Sequence, residues 1–352
     1  MVPVYIASNT AFCGKTFIAL GLGLNLKEQG YNVGFIKPFG KRPVKRGEGV
    51  VDEDAVFMKE SLELKEPLEV ISPFVFDFET QALFLDDKLG NVSKKILAAF
   101  EALKDKDVVL VGGPHALYEG CLLGIKPPTL VKQMRARVLM VELWRGLLSA
   151  DSIYCAHEFM GDSVVGAVIN KVPENMYGYV KDRAKPFLEK RGIPVLGVIS
   201  KDKVLSSVTV RQIVEVLNGG VICAEDKLDE FVENFLVGAM DVDAALGYFA
   251  RTPNKAVITG AHRSDIQLAA METSTKCIIL TGGTDPNELV LEKSRSKGIP
   301  LIIAPGDTFS AVDKIDQILG RAIIREKRKA VRAAEVIAAE FDMKRFKEAL
   351  GL

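Results

Sequence analysis

Short runs of aliphatic and β-branched residues recur along this chain, separated by longer stretches in which apolar residues return every three or four positions. Continuous apolar runs of this length fit strands buried on both faces, and the longer periodic stretches fit amphipathic helices. Their alternation predicts an α/β fold with a parallel sheet covered on both sides. Strands are expected at Val2–Ala7, Val33–Lys37, Val108–Val111, Arg137–Glu142, Val164–Asn170 and Pro194–Val198, with helices at Lys15–Gln29, Asp52–Leu62, Ser93–Ala102 and Met176–Lys190. Such a doubly wound sheet places ligands beyond the carboxyl ends of its strands.

Near Ser200 the pattern changes. A short helix at Thr209–Leu217, then strands at Val221–Cys223, Val257–Thr259, Cys277–Thr281 and Leu301–Ala304, read as a second and smaller α/β unit. From Asp313 onward the pattern is helical and includes a basic cluster between Arg325 and Arg332, which reads as a solvated helix face. The expected division is residues 1–205, residues 206–320 and a helical tail over 321–352.

The first strand runs into Ser8-Asn-Thr-Ala-Phe-Cys-Gly-Lys-Thr16 at the mouth of the first helix. A Gly14-Lys15-Thr16 triplet there turns backbone N–H groups and a helix N-terminus toward an anion, sets an ammonium on terminal phosphates and offers a hydroxyl to Mg²⁺. The expected ligand is therefore a nucleoside triphosphate, ATP or a relative, lined by Asn9, Thr10, Ala11, Cys13, Gly14, Lys15 and Thr16. The usual first glycine is missing. Ala7, Ser8 and Asn9 stand where it would fall, and none of them adopts unusual dihedrals as freely as glycine.

Composition narrows the classes. The chain has 352 residues with 46 basic and 46 acidic side chains, which gives no electrostatic case for nucleic acid or an anionic membrane surface. Its apolar runs are too short to span a bilayer, and its first residues lack the flanks of a signal peptide, so a cytoplasmic protein is expected. The five cysteines are scattered and read as reduced thiols, and the three histidines show no metal-helix spacing.

Three later stretches complete a pattern: Gly34-Phe-Ile-Lys-Pro-Phe-Gly, Asp52-Glu-Asp-Ala and Val168-Ile-Asn-Lys-Val. With the loop, they make residues 1 to about 205 resemble the dethiobiotin synthetase-like domain found at the N-terminus of long phosphate acetyltransferases, a P-loop NTPase-like fold. The second unit resembles the DRTGG domain that follows it there, through Asn234-Phe-Leu-Val-Gly-Ala-Met, Ile258-Thr-Gly-Ala-His-Arg-Ser-Asp and Ile279-Leu-Thr-Gly-Gly. No length remains for the acetyltransferase domain itself, so acetyl transfer is not expected.

The resemblance implies roles. Lys15 contacts phosphate and Thr16 holds Mg²⁺. Lys37 faces the transferred phosphate as a candidate catalytic ammonium, or is a lysine at a strand end before Pro38. Asp54, less so Asp52, binds metal or its water, the alternative being a cap of the helix that follows. Asn170 and Lys171 recognise the base, or Asn170 serves turn chemistry.

One departure matters. Gly112 stands where the related enzymes carry a metal-binding glutamate, and a glycine supplies no carboxylate. His115 and Glu119 lie close by in sequence. In the second unit, Arg263, Asp265, Thr281, Gly282 and Gly283 form a candidate ligand or interface site, with His262 where relatives often have an acid. Related domains pair with themselves, which implies a homo-oligomer. The sequence thus points to a nucleotide-binding regulatory protein with weak or no ATP turnover and a possible protein partner. The alternative is an ATP- and Mg-dependent ligase or carboxylase of the dethiobiotin or cobyrinate amide synthase class.

Overall fold

The computed structural model describes residues 1–47, 49–320 and 327–352. They form two compact units: Met1–Lys201 with the C-terminal helices, and the described residues from Asp202 onward that lie between them in sequence. Residues 321–326, where the basic cluster begins, lie outside the described residues.

In the first unit the strands are β1 (Val2–Ala7), β2 (Val33–Ile36), the hairpin β3 (Pro43–Arg46) and β4 (Gly49–Asp52), then β5 (Val108–Gly112), β6 (Arg137–Leu143), β7 (Val164–Val172) and β8 (Val195–Ser200). Six of them form one sheet in the order β2-β5-β1-β6-β7-β8. All its pairings are parallel, with Val4 opposite Leu110 on one side and Ile6 opposite Leu139 on the other. Each is buried along nearly its whole length, which is why each reads in sequence as an apolar run. The expected sheet is present. Because β1 lies between β5 and β6, the strand order reverses at β1, and a crevice opens beyond its carboxyl end.

Helix Leu147–Met160, between β6 and β7, was not anticipated. Its buried stripe is Ser149, Ala150, Ile153 and Ala156, mostly small residues, while Leu147, Leu148 and Phe159 are exposed. Hydrophobicity therefore hides its inward face. The expected helix Met176–Lys190 is interrupted by a wider π turn at Val180–Ala184, just ahead of Pro186, which has no N–H to donate.

Helix α1 (Lys15–Glu28) is apolar on all sides and is covered on both. One cover is helix Lys327–Glu340, which lies so close that a Cβ on Gly21 would collide with the Ile337 side chain and come 2.7 Å from the Ala333 carbonyl oxygen. Asn25 Nδ2, itself buried, donates to Ala334 O at 3.0 Å and to Gly21 O at 2.8 Å. Glu340 accepts from the Ser200 N–H at 2.8 Å, and Asp342 N–H donates to Leu196 O at 2.7 Å. The segment foreseen as a tail is thus, where described, fastened to α1 and to the edge strand β8.

The second unit has a five-stranded sheet in the order β10-β15-β14-β13-β12, beside the small pair β9 (Val208–Thr209) and β11 (Phe231–Val232). Its strands are β10 (Gly220–Cys223), β12 (Asn234–Val237), β13 (Lys255–Gly260), β14 (Thr275–Thr281) and β15 (Leu301–Ile303), with β10 antiparallel to β15. One face is packed by Ile213, Leu217, Ile258 and Ile279, and the other by Phe249, Ile266, Ile278 and Leu280. Among the described residues no helix is long and apolar enough to cross a membrane.

Candidate phosphate-binding site

The turn from β1 into α1 depends on Gly14, whose φ of 97° lies in the left-handed region and whose missing Cβ leaves room for the Asn170 carboxamide. Phe12 also takes a positive φ, 57°, without glycine's freedom. A strained backbone of that kind costs about 1–2 kcal/mol and persists only where its surroundings hold it. Beyond Gly14 the first-turn N–H groups have no intrahelical acceptors and face the loop mouth, where the helix dipole favours negative charge.

Lys15 folds back over this loop and donates to Ser8 Oγ at 2.5 Å, with Cys13 Sγ 3.8 Å away. Ser8 Oγ in turn is 2.9 Å from the His115 carbonyl oxygen, which ties the loop to the segment after β5. Among the described residues no carboxylate lies within ion-pair distance of Lys15. Burial lowers its pKa, and the neighbouring Lys37 adds to that. An anion-seeking cation is therefore held beside the helix mouth without an ion-pair partner among the described residues.

Lys37 follows β2, and its ammonium sits 3.1 Å from Asp54 Oδ2. Asp54 belongs to the first turn of helix α2 (Glu53–Ser61), and Thr16 Oγ1 donates to the same oxygen at 3.4 Å. Burial acts to lower the Lys37 pKa, but the Asp54 carboxylate overrides it and raises the value. For Asp54, burial works upward while Lys37 and Arg42 hold the carboxyl below its usual range. Asp52 does something else: it is buried and accepts the N–H groups of Lys41, Arg42 and Asp54 at 2.9, 3.1 and 3.0 Å, so it caps α2. Of the acidic trio, Asp54 alone meets Thr16.

At Gly112 the space where a side chain would begin is bounded by Lys37 Cδ and Phe35 Cζ, each 3.1 Å from a constructed Cβ. Glu119 offers no replacement, because its Oε2 accepts from the His115 N–H at 3.1 Å and pairs with Lys41 at 2.9 Å. Among the described residues, the Thr16 hydroxyl and the Asp54 carboxylate are the oxygens that could hold a divalent cation beside the loop. That set suits Mg²⁺, which keeps most of its waters and takes one or two protein oxygens beside phosphate. No group of three or more His, Cys, Asp or Glu side chains with metal-site spacing occurs among the described residues.

His115 packs against the Phe12 ring at 5.4 Å, and burial, reinforced by Lys41 and Lys15, lowers its pKa from 6.5 to about 4. The folded protein thus keeps a neutral imidazole that the unfolded chain protonates. Stability from this source is present above pH 6.5 and is lost as pH falls from 6.5 toward 4. Replacing His115 with Asn is expected to flatten that part of the melting-temperature profile, as followed by circular dichroism between pH 7 and pH 4.5, a window inside the interval from 6.5 to about 4 and just above it.

At the end of β7 the register with β8 shifts between Ile169 and Val172, and Lys171 takes a φ of 54°. Such a bulge re-aims side chains. Asn170 Nδ2 donates to Cys13 O at 2.7 Å and Lys171 Nζ to Phe12 O at 2.9 Å, so both residues grip the loop backbone and lie beside it. Asn170 Oδ1 is the acceptor this leaves for a ligand.

The sequence reading passed over Glu142, the last buried residue of β6. Its carboxylate accepts from the Asn9 N–H at 3.3 Å, from Thr10 Oγ1, from Ser152 Oγ at 2.9 Å and from Arg145 Nη2 at 3.3 Å. The available signal was an acid closing an otherwise apolar strand.

In the second unit, Arg263 is paired with Asp265 in a bidentate contact, both bonds at 3.0 Å, and also donates to Met240 O at 2.8 Å. Its charge is thus already matched by a neighbour. Thr281 Oγ1 lies 2.8 Å from Thr308 Oγ1, and Gly282 and Gly283 continue with φ of 93° and 68° into open space. These residues share the carboxyl ends of β13 and β14.

Residues 3–209 match the family model described as AAA domain, and residues 212–318 match the DRTGG domain. The chain is 26% identical over 304 residues to a phosphate acetyltransferase of Synechocystis sp., covering 82% of this chain and 43% of that protein. It is 23% identical over 219 residues to the ATP-dependent dethiobiotin synthetase of Nitrosopumilus maritimus, covering 60% of this chain and 95% of that enzyme. Among solved structures, the MinD cell division protein of Aquifex aeolicus aligns at 16% identity with a TM-score of 0.36, covering 58% of this chain and 84% of that one. The chain spans about half the length of the phosphate acetyltransferases it matches, 43% and 50%.

Proposed function

This chain belongs to the AAA domain family through residues 3–209, and from that premise we propose that its first unit binds ATP or a close relative and that the protein works as a nucleotide-responsive regulator with little or no turnover. The loop, Lys15 and the first turn of α1 support binding. One observation carries the regulatory reading: β5 ends in Gly112, with no carboxylate there to complete the Mg²⁺ shell. Bound ATP with Mg²⁺ would supply a charged phosphate tail. Lys15 would neutralise it, Thr16 and Asp54 would hold the cation, and Asn170 Oδ1 would face the exocyclic amine of adenine. The DRTGG unit is the proposed reporter, through a sister subunit or a protein partner.

A ligase or carboxylase remains the second reading because Lys37, Asp54 and Thr16 do meet at one point. Titration of the whole chain with ATP by calorimetry, followed by a phosphate-release assay, separates the two. Saturable binding with negligible release supports the regulator, and steady release stimulated by a carboxylate or diamine supports the enzyme. Failure to bind ATP removes both. Gly112→Glu is expected to raise Mg-dependent release at least tenfold, since a metal ligand adds charge stabilisation worth more than the about 1.4 kcal/mol that a tenfold rate requires.

A further inference from the structure

We infer that Glu142 is a positioning residue that holds the start of the phosphate loop in its anion-binding shape. The inference rests on the nucleotide-binding reading above for its consequence, though not for its geometry.

A glycine-led loop bends because its first residue accepts dihedrals that side chains forbid. Here Ser8, Asn9 and Thr10 keep out of the positive-φ region, and the loop's positive-φ residues are Phe12 and Gly14 further along; the start of the loop is held by its hydrogen bonds. Glu142 is fully buried at the end of β6 and presents two oxygens that only accept. Oε2 takes the backbone N–H of Asn9 at 3.3 Å and the hydroxyl of Ser152 at 2.9 Å. Oε1 takes the hydroxyl of Thr10 and the guanidinium of Arg145, the latter at 3.3 Å. Arg145 Nη2 reaches Thr10 Oγ1 as well, at 2.7 Å. Asn9 Nδ2 adds bonds to Ser152 O at 3.0 Å and Ser152 Oγ at 3.1 Å. The loop start, the end of β6 and helix Leu147–Met160 thus close on one carboxylate.

A buried carboxylate is tolerated only when its lone pairs are filled, and here four donors fill them. Glu142 is not the metal carboxylate missing from β5, because every oxygen it has is spent on the loop and on Arg145.

Glu142→Gln keeps the shape of the side chain but turns an NH₂ donor toward the Asn9 N–H or the Ser152 hydroxyl. It is expected to raise the ATP dissociation constant of the whole chain at least tenfold by calorimetry. Without nucleotide, it is expected to speed amide hydrogen exchange in residues 8–14 while the rest of the sheet keeps its protection. Thr10→Val is expected to weaken ATP binding by two- to fivefold, and Thr10→Val with Glu142→Gln no more than Glu142→Gln alone, because both loosen the loop from the same side chain. Should Glu142→Gln fail to fold, Thr10→Val and Ser152→Ala carry the exchange measurement. Unchanged exchange in residues 8–14, or faster exchange with unchanged ATP affinity, overturns the assignment. If the unmodified protein binds no ATP, the nucleotide reading fails by itself and the exchange result alone decides the role of Glu142.

Discussion

Replacing Lys15 with alanine is expected to weaken ATP binding at least 100-fold, a loss of about 2.8 kcal/mol at 1.4 kcal/mol per factor of ten. The ammonium lies against Ser8 within the loop, with no carboxylate among the described residues at ion-pair distance, so a phosphate oxygen is the natural recipient of its charge. Burial lowers its pKa, which disfavours the charged form while no phosphate faces it. The same substitution should therefore leave the melting temperature unchanged or raise it, because a half-buried cation with no ion-pair partner among the described residues is removed. Lys15→Arg is not expected to keep full affinity, since a planar guanidinium fork does not reproduce a compact point charge on a flexible stem. Isothermal calorimetry with a parallel thermal melt checks the claim. Wild-type affinity in Lys15→Ala would sink the proposed phosphate site.

The second large effect concerns stability. Gly21→Leu is expected to destabilise the first unit by about 3 kcal/mol or more, at the upper end of overpacking costs, because the new side chain starts against the Ile337 side chain and 2.7 Å from the Ala333 carbonyl. For a unit of this size that corresponds to a fall in melting temperature of about 6–12 °C. Gly247→Ala makes the control: Gly247 lies in helix Val242–Arg251 with no atom near its absent Cβ. It is expected to be neutral or to stabilise by up to about 1 kcal/mol through helix propensity. Equal effects from the two substitutions in calorimetric melts would show that helix Lys327–Glu340 does not constrain α1.

Several features were legible in the chain because they are written in local order. Buried parallel strands leave apolar runs, and all six of the main sheet could be read to within a few residues. The loop glycine and its Lys-Thr were visible because a strand, a turn and a helix follow one another without a gap. The bulge that aims Asn170 and Lys171 was not visible, since positive φ at a lysine leaves no compositional mark. Nor was helix Leu147–Met160, whose inner face is made of small residues.

By itself, then, the sequence determined the alternation of strands and helices, the place of the phosphate loop and the lack of a carboxylate at Gly112, all properties of neighbours along the chain. Only the tertiary structure decided how that loop is held. Glu142 meets Asn9 and Thr10 from more than 130 positions away, and Ala334 meets Asn25 from 309. It also decided that Asp54 meets Thr16 from 38 positions away. Contacts of this kind arise where packing brings distant segments to one point, and periodicity carries no information about which residues will face each other there.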